Sequence, residues 1–251
     1  MGQAKKTPID VIICTVHENE PYFARLKEFY PNAKFIRQVG NQLDLGTNDD
    51  LYPNLLASAN KPYVFFKKHK VLYRQEFDMN LFKYRSIYNF NNIYSFQNDL
   101  EEDEGAWDMW IQLRHLLPRF NFKSFGVGNH DGKIFSKREY IKKMQDATFI
   151  FQRKFAEGYG HVVHNAFALG RPMILNKETY MEGIAKPLLK DNINCIFIRD
   201  TVEDTAKQIQ AFSNNLNWIA NMGKDAYESF KLDVDFDREF IRVKEFFDNL
   251  I

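Results

Sequence analysis

Short apolar runs alternate with helical patterns along the chain, and this order predicts parallel β-sheets. The runs that predict strands lie at residues 10–16, 34–39, 63–66, 93–96, 122–125, 148–151, 173–175 and 194–198. Between them, apolar residues recur at helical spacing, as at Trp107, Trp110 and Ile111. Strands that alternate with helices are typical of parallel α/β sheets. Residues 51–59 predict a weak helix, which completes a β-α-β-α-β half-sheet in the first part of the chain.

Residues 148–176 form the most informative stretch, because they predict a complete βαβ unit with a glycine-rich loop. An apolar run precedes the loop, and the helical run 161–169 follows it and ends at Gly170. Gly158 and Gly160 allow the backbone to approach a ligand closely. The helix N-terminus beside them suits a phosphate. Glu157 follows the strand at its carboxyl end, where open α/β sheets bind ligands.

The helix of this unit carries polar residues on one predicted face. His161, His164 and Asn165 fall at i, i+3 and i+4, so they are expected to share that face. Two histidines alone lack the third and fourth ligands of a zinc site, so no metal is expected here. An adjacent acidic pair, Asp49 and Asp50, is only a weak match to a metal-binding D-x-D element.

Composition narrows the classes of partner and compartment. The 251 residues carry a formal net charge of +1, which does not favour nucleic acid as a partner. Cys14 and Cys195 lie in apolar runs, so buried thiols and a reducing cytoplasm are expected. No apolar run reaches the length of a membrane span, and residues 1–8 do not resemble a signal peptide.

The central stretch resembles the donor-sugar segment of the GT-B glycosyltransferases. The similarity is to the large retaining family with the pattern E-G-F/Y-G-x-x-x-x-E-A-x-A-x-G-x-P-V-I. The matching residues here are Glu157, Gly158, Tyr159, Gly160, Ala166, Ala168, Gly170, Pro172 and Ile174. The resemblance implies an α/β fold in which two Rossmann-like parallel sheets face each other across a cleft.

The resemblance also implies a role for each residue of the site. Glu157 would contact the donor sugar as the catalytic residue, and Asn165 would touch the ribose. The loop Gly158, Tyr159, Gly160 and His161 would hold the diphosphate through its amides. Arg153 or Lys154 would add positive charge. Gly126 and Gly128 would form the G-x-G loop against which the nucleotide base packs.

Several features depart from the family pattern. Asn165 stands where the family has a second glutamate. The glycine-arginine and the K-G expected after the strand at 93–96 are missing, and the acidic loop 99–104 lies there instead. The N-terminal domain is short. The predicted domains are residues 1–84, a truncated N-terminal Rossmann-like domain, and residues 85–234, the nucleotide-sugar domain. Residues 235–251 form a C-terminal helix that crosses back to the first domain in this family.

Three functions fit these features. The first is a metal-independent, retaining glycosyltransferase that uses a UDP- or GDP-linked sugar as its substrate, needs no other cofactor, and acts on an unknown acceptor. The second is an impaired, glycosyltransferase-like binding or partner subunit, which a partner chain with the missing acceptor half would complete. The third is a sugar-nucleotide epimerase of the same architecture. His17, at a strand end, is a further catalytic candidate that is at least as well explained as a turn residue.

Overall fold

The structure is a computed structural model that describes residues 8–15, 20–44 and 52–251. His17 and the Asp49–Asp50 pair lie outside the described residues. The chain forms two compact units, one of Met1–Gln75 with Phe236–Ile251 and one of Glu76–Asp235. Each unit is built on its own parallel sheet.

The first unit contains a four-stranded parallel sheet in the order β1-β2-β3-β4. Its strands are β1 (Val11–Cys14), β2 (Lys34–Val39), β3 (Asn54–Ala57) and β4 (His69–Leu72), and its helices are α1 (Glu20–Phe29), α2 (Asn60–Phe65) and α9 (Phe236–Asp248). β2 has the predicted bounds, because its apolar residues Phe35, Ile36 and Val39 are all buried.

The prediction was wrong between residues 51 and 66. The expected helix at 51–59 is the strand β3, and the expected strand at 63–66 lies in and just after α2. All four residues of β3 are buried between β2 and β4, so tertiary packing overrides a local helical preference. Tyr63, Val64 and Phe65 read as a strand only because they are apolar and consecutive, and Val64 and Phe65 are in fact exposed.

Helix α9 packs on the sheet of the first unit. Phe246 joins a core cluster with Ile36, Leu56 and Val71. Its ring stacks on the imidazole of His69, with 4.8 Å between the ring centroids. The carboxylate of Glu239 accepts a hydrogen bond from the backbone N–H of Arg74. The C-terminal segment is therefore part of the core of this unit.

The second unit contains a five-stranded parallel sheet in the order β6-β5-β7-β8-β9. Its strands are β5 (Asn92–Ser95), β6 (Asn121–Ser124), β7 (Phe149–Gln152), β8 (Met173–Leu175) and β9 (Cys195–Phe197). Its helices are α3 (Glu104–Leu116), α4 (Lys137–Asp146), α5 (His161–Ala168), α6 (Lys177–Tyr180), α7 (Val202–Ser213) and α8 (Leu216–Asp233), with a 3-10 turn at Lys186–Leu188. β5, β7, β8 and β9 are buried throughout, which explains the continuous apolar sequences of β8 and β9 and the apolar run Phe149–Phe151 in β7.

Two local differences from the sequence-based expectation have clear causes. The sequence predicts a loop at residues 177–180, placed to meet the donor. In the structure these residues form the short helix α6, which is anchored by the buried side chain of Tyr180. Residues 76–84, expected at the end of the first domain, pack within the second unit. There Phe77 contacts Phe82 and Phe230, and Tyr84 stacks on Tyr227.

In the described part of the chain, no helix is long and apolar enough to cross a membrane.

Asn54 in β3 offers a test of the corrected first sheet. Its side-chain amide donates to the carbonyl oxygens of Phe35 and Ile251, and its Oδ1 accepts from the N–H of Ile251. Asn54→Ala should lower the free energy of unfolding by about 2–4 kcal/mol, because buried hydrogen-bond partners are left unsatisfied. Chemical denaturation measures this change. The control Asn32→Ala, at an exposed turn before β2, should change stability by less than about 0.5 kcal/mol. Equal effects of the two changes would contradict the pairing of Asn54 with the C-terminus.

Candidate functional site

The strand order of the second sheet reverses at β5. β6 lies on one side of β5 and β7 on the other, so the loops after β5 and β7 leave the sheet at a topological switch point. The two loops are in contact there, since the backbone N–H of Arg153 donates to Oε1 of Gln97 over 3.2 Å. Open α/β sheets bind their ligands at such a point.

The glycine-rich loop between β7 and α5 lies at this edge. Gly158, Tyr159 and Gly160 are buried, and α5 begins at His161 as predicted. Gly160 is the N-cap residue, with φ of +79°. This left-handed conformation favours glycine, because a side chain there would be strained. The loop thus brings a helix N-terminus to the carboxyl end of a buried strand.

The carboxylate of Glu157 binds this loop itself. Oε1 accepts hydrogen bonds from the N–H of Gly158 over 3.1 Å and from the N–H of Gly160 over 3.4 Å. Oε2 forms an ion pair with Nζ of Lys154 over 2.9 Å. The side chain of Glu157 is only 15% exposed. In this structure, Glu157 therefore satisfies two of the amides that the sequence assigns to a phosphate.

The two histidines both contact Tyr159, as expected for residues on one face, but they differ in burial. The ring of His161 lies edge-on to Tyr159, with 4.6 Å between the ring centroids. His164 is fully buried, its Nδ1 lies 3.0 Å from the carbonyl oxygen of Gly160, and its ring stacks on Tyr159 at 4.3 Å. His161 is exposed at the start of α5. The two side chains differ because His164 packs into the core together with Val163 and Phe167.

His161 has a shifted pKa. Although the residue as a whole is exposed, desolvation of its ring is the largest cause and lowers the pKa below its ordinary value. Nearby Glu157 acts in the opposite direction, and Lys154 adds to the lowering. The imidazole of His161 is therefore mainly neutral at pH 7, next to the loop amides.

Asn165 lies half-buried one turn further along α5. Its side-chain amide donates to the hydroxyl oxygen of Tyr140 in α4, over 3.4 Å. Burial raises the pKa of Tyr140 to about 12. Tyr140 also packs edge-on against Phe96, just after β5. The side-chain amide of Asn165 is thus held in place by the uncharged hydroxyl group of Tyr140.

Gly126 and Gly128 pack against the loop that follows β5. A Cβ at Gly126 would lie 2.8 Å from Oδ1 of Asn98, and a Cβ at Gly128 would lie 2.5 Å from Oδ1 of Asp99. The N–H of Val127 donates to Oδ1 of Asn98, and Asn129 binds the backbone at Leu100. The two glycines therefore allow the loops after β5 and β6 to approach closely.

Three carboxylates of the acidic loop after β5 make contacts within the protein. Asp103 is the N-cap of α3 and accepts from the N–H of Ala106. Glu101 accepts a hydrogen bond from the N–H of His130 over 2.5 Å. Asp99 packs against Gly128. These carboxylates hold loops and a helix end in place.

A cavity of about 500 Å³ opens at the carboxyl ends of β7, β8 and β9. Its lining residues are Asp103, Arg153, Lys154, Phe155, Asn176, Glu178, Thr179, Ile198, Arg199 and Asp200. Two of the three basic side chains that line the cavity form ion pairs: Lys154 with Glu157, and Arg199 with Asp191. Within the described residues, the guanidinium of Arg153 has no hydrogen-bond or ion-pair partner. It extends to the first turn of α3, where Nη1 would lie 2.6 Å from a Cβ at Gly105.

Asn176 and Gly183 support the site but were not identified from the sequence, whereas Thr179 lies in the segment 177–180 that the sequence places near the donor. The side chain of Asn176 exchanges hydrogen bonds with the backbone of Lys154 in both directions, and Thr179 donates to the same carbonyl oxygen. Gly183 packs against the glycine-rich loop, since a Cβ there would lie 3.3 Å from the carbonyl oxygen of Gly158. The only signal in the sequence was the position of Asn176 directly after a predicted strand.

The described residues contain no cluster of three His, Cys, Asp or Glu side chains that could hold a metal ion.

The architecture matches several solved structures. HepE from Anabaena, in complex with UDP and glucose, superposes with a TM-score of 0.73 at 14% identity, covering 96% of this chain and 78% of HepE. TarM gives 0.75 at 14% identity, covering 95% of this chain and 55% of TarM. Sucrose-phosphate synthase from Thermosynechococcus elongatus gives 0.72 at 10% identity, covering 95% and 73%.

The chain has a GT-B-like fold. This confirms the predicted α/β class with two parallel sheets, of which the first, with four strands, is the smaller. A comparison with protein-family models gives no match, and a comparison of the sequence with curated proteins gives none either. At identities of 10–15%, the structural similarity establishes the fold alone.

Two glycines in the loop after β6 test its packing against the loop after β5. Gly126 and Gly132 both have positive φ, but a Cβ at Gly132 would meet no atom within 4 Å. Gly132→Ala should cost about 1–2 kcal/mol of stability from backbone strain alone. Gly126→Ala should cost about 1–3 kcal/mol more, because the methyl group would displace Asn98 and Asn129. Denaturation curves of both variants measure the difference. Equal costs would show that the two loops are not tightly packed.

The lowered pKa of His161 predicts how stability responds to pH. The unfolded state binds more protons than the folded state between the folded pKa and the ordinary value near 6.5, so acidification through this window destabilises the fold. His161→Asn should therefore lose less stability than the wild type between pH 7.5 and about 5.5. Melting temperatures across this range provide the measurement, and His115→Asn, at an exposed position in α3, controls for the loss of a histidine. Parallel curves for the wild type and His161→Asn would refute the lowered pKa.

Proposed function

We propose that this protein is a glycosyltransferase that moves a sugar from a UDP- or GDP-linked donor to an acceptor. The observation that carries the proposal is the glycine-rich loop Glu157–His161 at the switch point of a GT-B-like fold. The amides of this loop and the N-terminus of α5 suit a diphosphate, since both present positive charge at the carboxyl end of β7. HepE, which shares the fold, has been determined with UDP and with UDP-glucose.

Arg153 would add the positive charge that the sequence assigns to Arg153 or Lys154. The resemblance implies a glycine-arginine and a K-G after the first strand of this domain, and neither is present. Here Glu104 and Gly105 begin the helix after that strand, and the Arg153 side chain reaches it from the loop after β7. An arginine without a partner can bind two phosphate oxygens in a planar fork. Together with Lys154, it would neutralise the diphosphate as the sugar leaves, so no metal ion is required in the proposed mechanism.

The other site residues take the roles that the resemblance implies. Glu157 would orient the donor sugar in a reaction that retains the anomeric configuration. Asn165 would hydrogen-bond the ribose, with its amide positioned by Tyr140. The loop that carries Gly126 and Gly128 would border the base. We also propose a cytoplasmic location, supported by Cys14 and Cys195, which are buried and not joined in a disulfide.

A second candidate is a glycosyltransferase-like subunit that binds a donor or a partner chain without catalysis. One observation favours it: the carboxylate of Glu157 occupies loop amides that a diphosphate needs. Asn165 in place of a glutamate points the same way, because a neutral amide lacks the charge that strengthens hydrogen bonds to ribose hydroxyls.

Substitution of Arg153 tests the proposed diphosphate site. Binding of UDP, GDP and a panel of their sugar conjugates to the wild type should raise the melting temperature, because these ligands bind only the folded state. Arg153→Met should weaken binding of the best ligand roughly tenfold or more, as expected for the loss of charge-assisted hydrogen bonds. The control Arg114→Met removes the same charge from the last turn of α3 and should leave the affinity within about twofold.

The same panel separates the two functions. Release of UDP or GDP from a sugar conjugate, measured with the wild type, supports transfer or donor hydrolysis. Binding without release is the result expected for the non-catalytic subunit. No change in melting temperature with any nucleotide at millimolar concentration would overturn both nucleotide-binding proposals.

A further inference from the structure

The side chain of Glu157 is an anion that already lies at the proposed diphosphate position. Its carboxylate accepts from the amides of Gly158 and Gly160 and pairs with the ammonium group of Lys154. All three donors are groups that would otherwise serve a phosphate. Its neighbours hold the loop in this arrangement, because Gly183 packs against the carbonyl of Gly158 and Ala185 against Gly160.

A carboxylate and a phosphate cannot share these donors, because like charges at hydrogen-bond distance repel strongly. A diphosphate must therefore displace the carboxylate of Glu157 from the two amides. The displaced carboxylate needs new hydrogen-bond donors, since an ionised group that loses its partners in a largely buried place is costly. Whether a ligand provides such donors determines how much of its binding energy is lost.

A nucleotide-sugar and a nucleoside diphosphate differ in this respect. Both bring a diphosphate to the loop, but only the nucleotide-sugar brings hydroxyl groups that can donate to a carboxylate. We propose that Glu157 is a specificity-determining residue that makes the protein prefer the nucleotide-sugar to the nucleoside diphosphate. This inference rests on the proposed function. In the free protein Glu157 competes with phosphate, and with the donor bound it exchanges the loop amides for sugar hydroxyls.

The preference has a direct consequence for turnover. After sugar transfer, the nucleoside diphosphate remains without the hydroxyls that held Glu157, and the carboxylate can return to the amides of Gly158 and Gly160. Glu157 therefore assists the release of the nucleoside diphosphate as well as the selection of the donor. A loop that Glu157 only stabilised would show neither effect, because both ligands would then depend on it equally.

The test compares two affinities in three proteins. Isothermal titration calorimetry gives the Kd of UDP and of UDP-glucose for the wild type, Glu157→Gln and Glu178→Gln, with GDP and GDP-mannose as a parallel pair. Glu157→Gln keeps the shape and removes the charge, so UDP should bind about tenfold more tightly while UDP-glucose binds no more tightly than before. Glu178→Gln removes a carboxylate that lines the cavity with Lys154, and Glu178 has no contact with the loop amides among the described residues. It should shift both affinities by the same factor.

Each result decides the question. A ratio of the two affinities that Glu157→Gln leaves unchanged, in a wild type that binds both ligands, overturns the inference and leaves the proposed function intact. A weaker affinity for both ligands in Glu157→Gln assigns Glu157 a structural role and also overturns it. Glu157→Ala is the second variant, and it must likewise tighten UDP binding. If no nucleotide or nucleotide-sugar binds to any of the proteins, the proposed function fails and this inference fails with it.

Discussion

The parallel ladder that joins β5, β7 and β8 is the constraint on which the second unit depends. These strands are buried on both faces, so their polar backbone groups must pair with each other. Pairing in one direction brings the carboxyl ends of β5 and β7 to the same edge, and their loops leave the sheet together. The position of the glycine-rich loop, of Arg153 and of the cavity follows from that edge.

Charge at this edge is largely balanced within the protein. Glu157 pairs with Lys154, Arg199 pairs with Asp191, and Asp103 caps α3. Among the basic side chains of the cavity, Arg153 has no hydrogen-bond or ion-pair partner for its guanidinium within the described residues. The cavity therefore offers one guanidinium that is unpaired in the described part of the chain, and the carboxylates of Glu178 and Asp200 line the same cavity.

Where the sequence misled, packing that the local pattern does not contain was the reason. β3 has too little local strand signal, and it is fixed by burial between β2 and β4 and by the bonds of Asn54 to Phe35 and Ile251. His164 has the spacing of a site residue, but its ring fits beneath Tyr159 in the core. Helical periodicity shows which residues share a direction, whereas burial depends on what packs opposite them, which periodicity does not contain.

The sequence by itself determined the α/β class, most strands of the second sheet, and the loop and start of α5, because strand burial and glycine placement leave strong local signals. Only the tertiary structure decided which donors each charged side chain meets. Glu157 turns onto its own loop, Arg153 reaches α3, and Asn165 faces Tyr140. The contacts of Arg153 and Asn165 join different parts of the unit, and the contact of Glu157 depends on how its loop folds back. In each case the side-chain direction follows from packing and not from the local pattern.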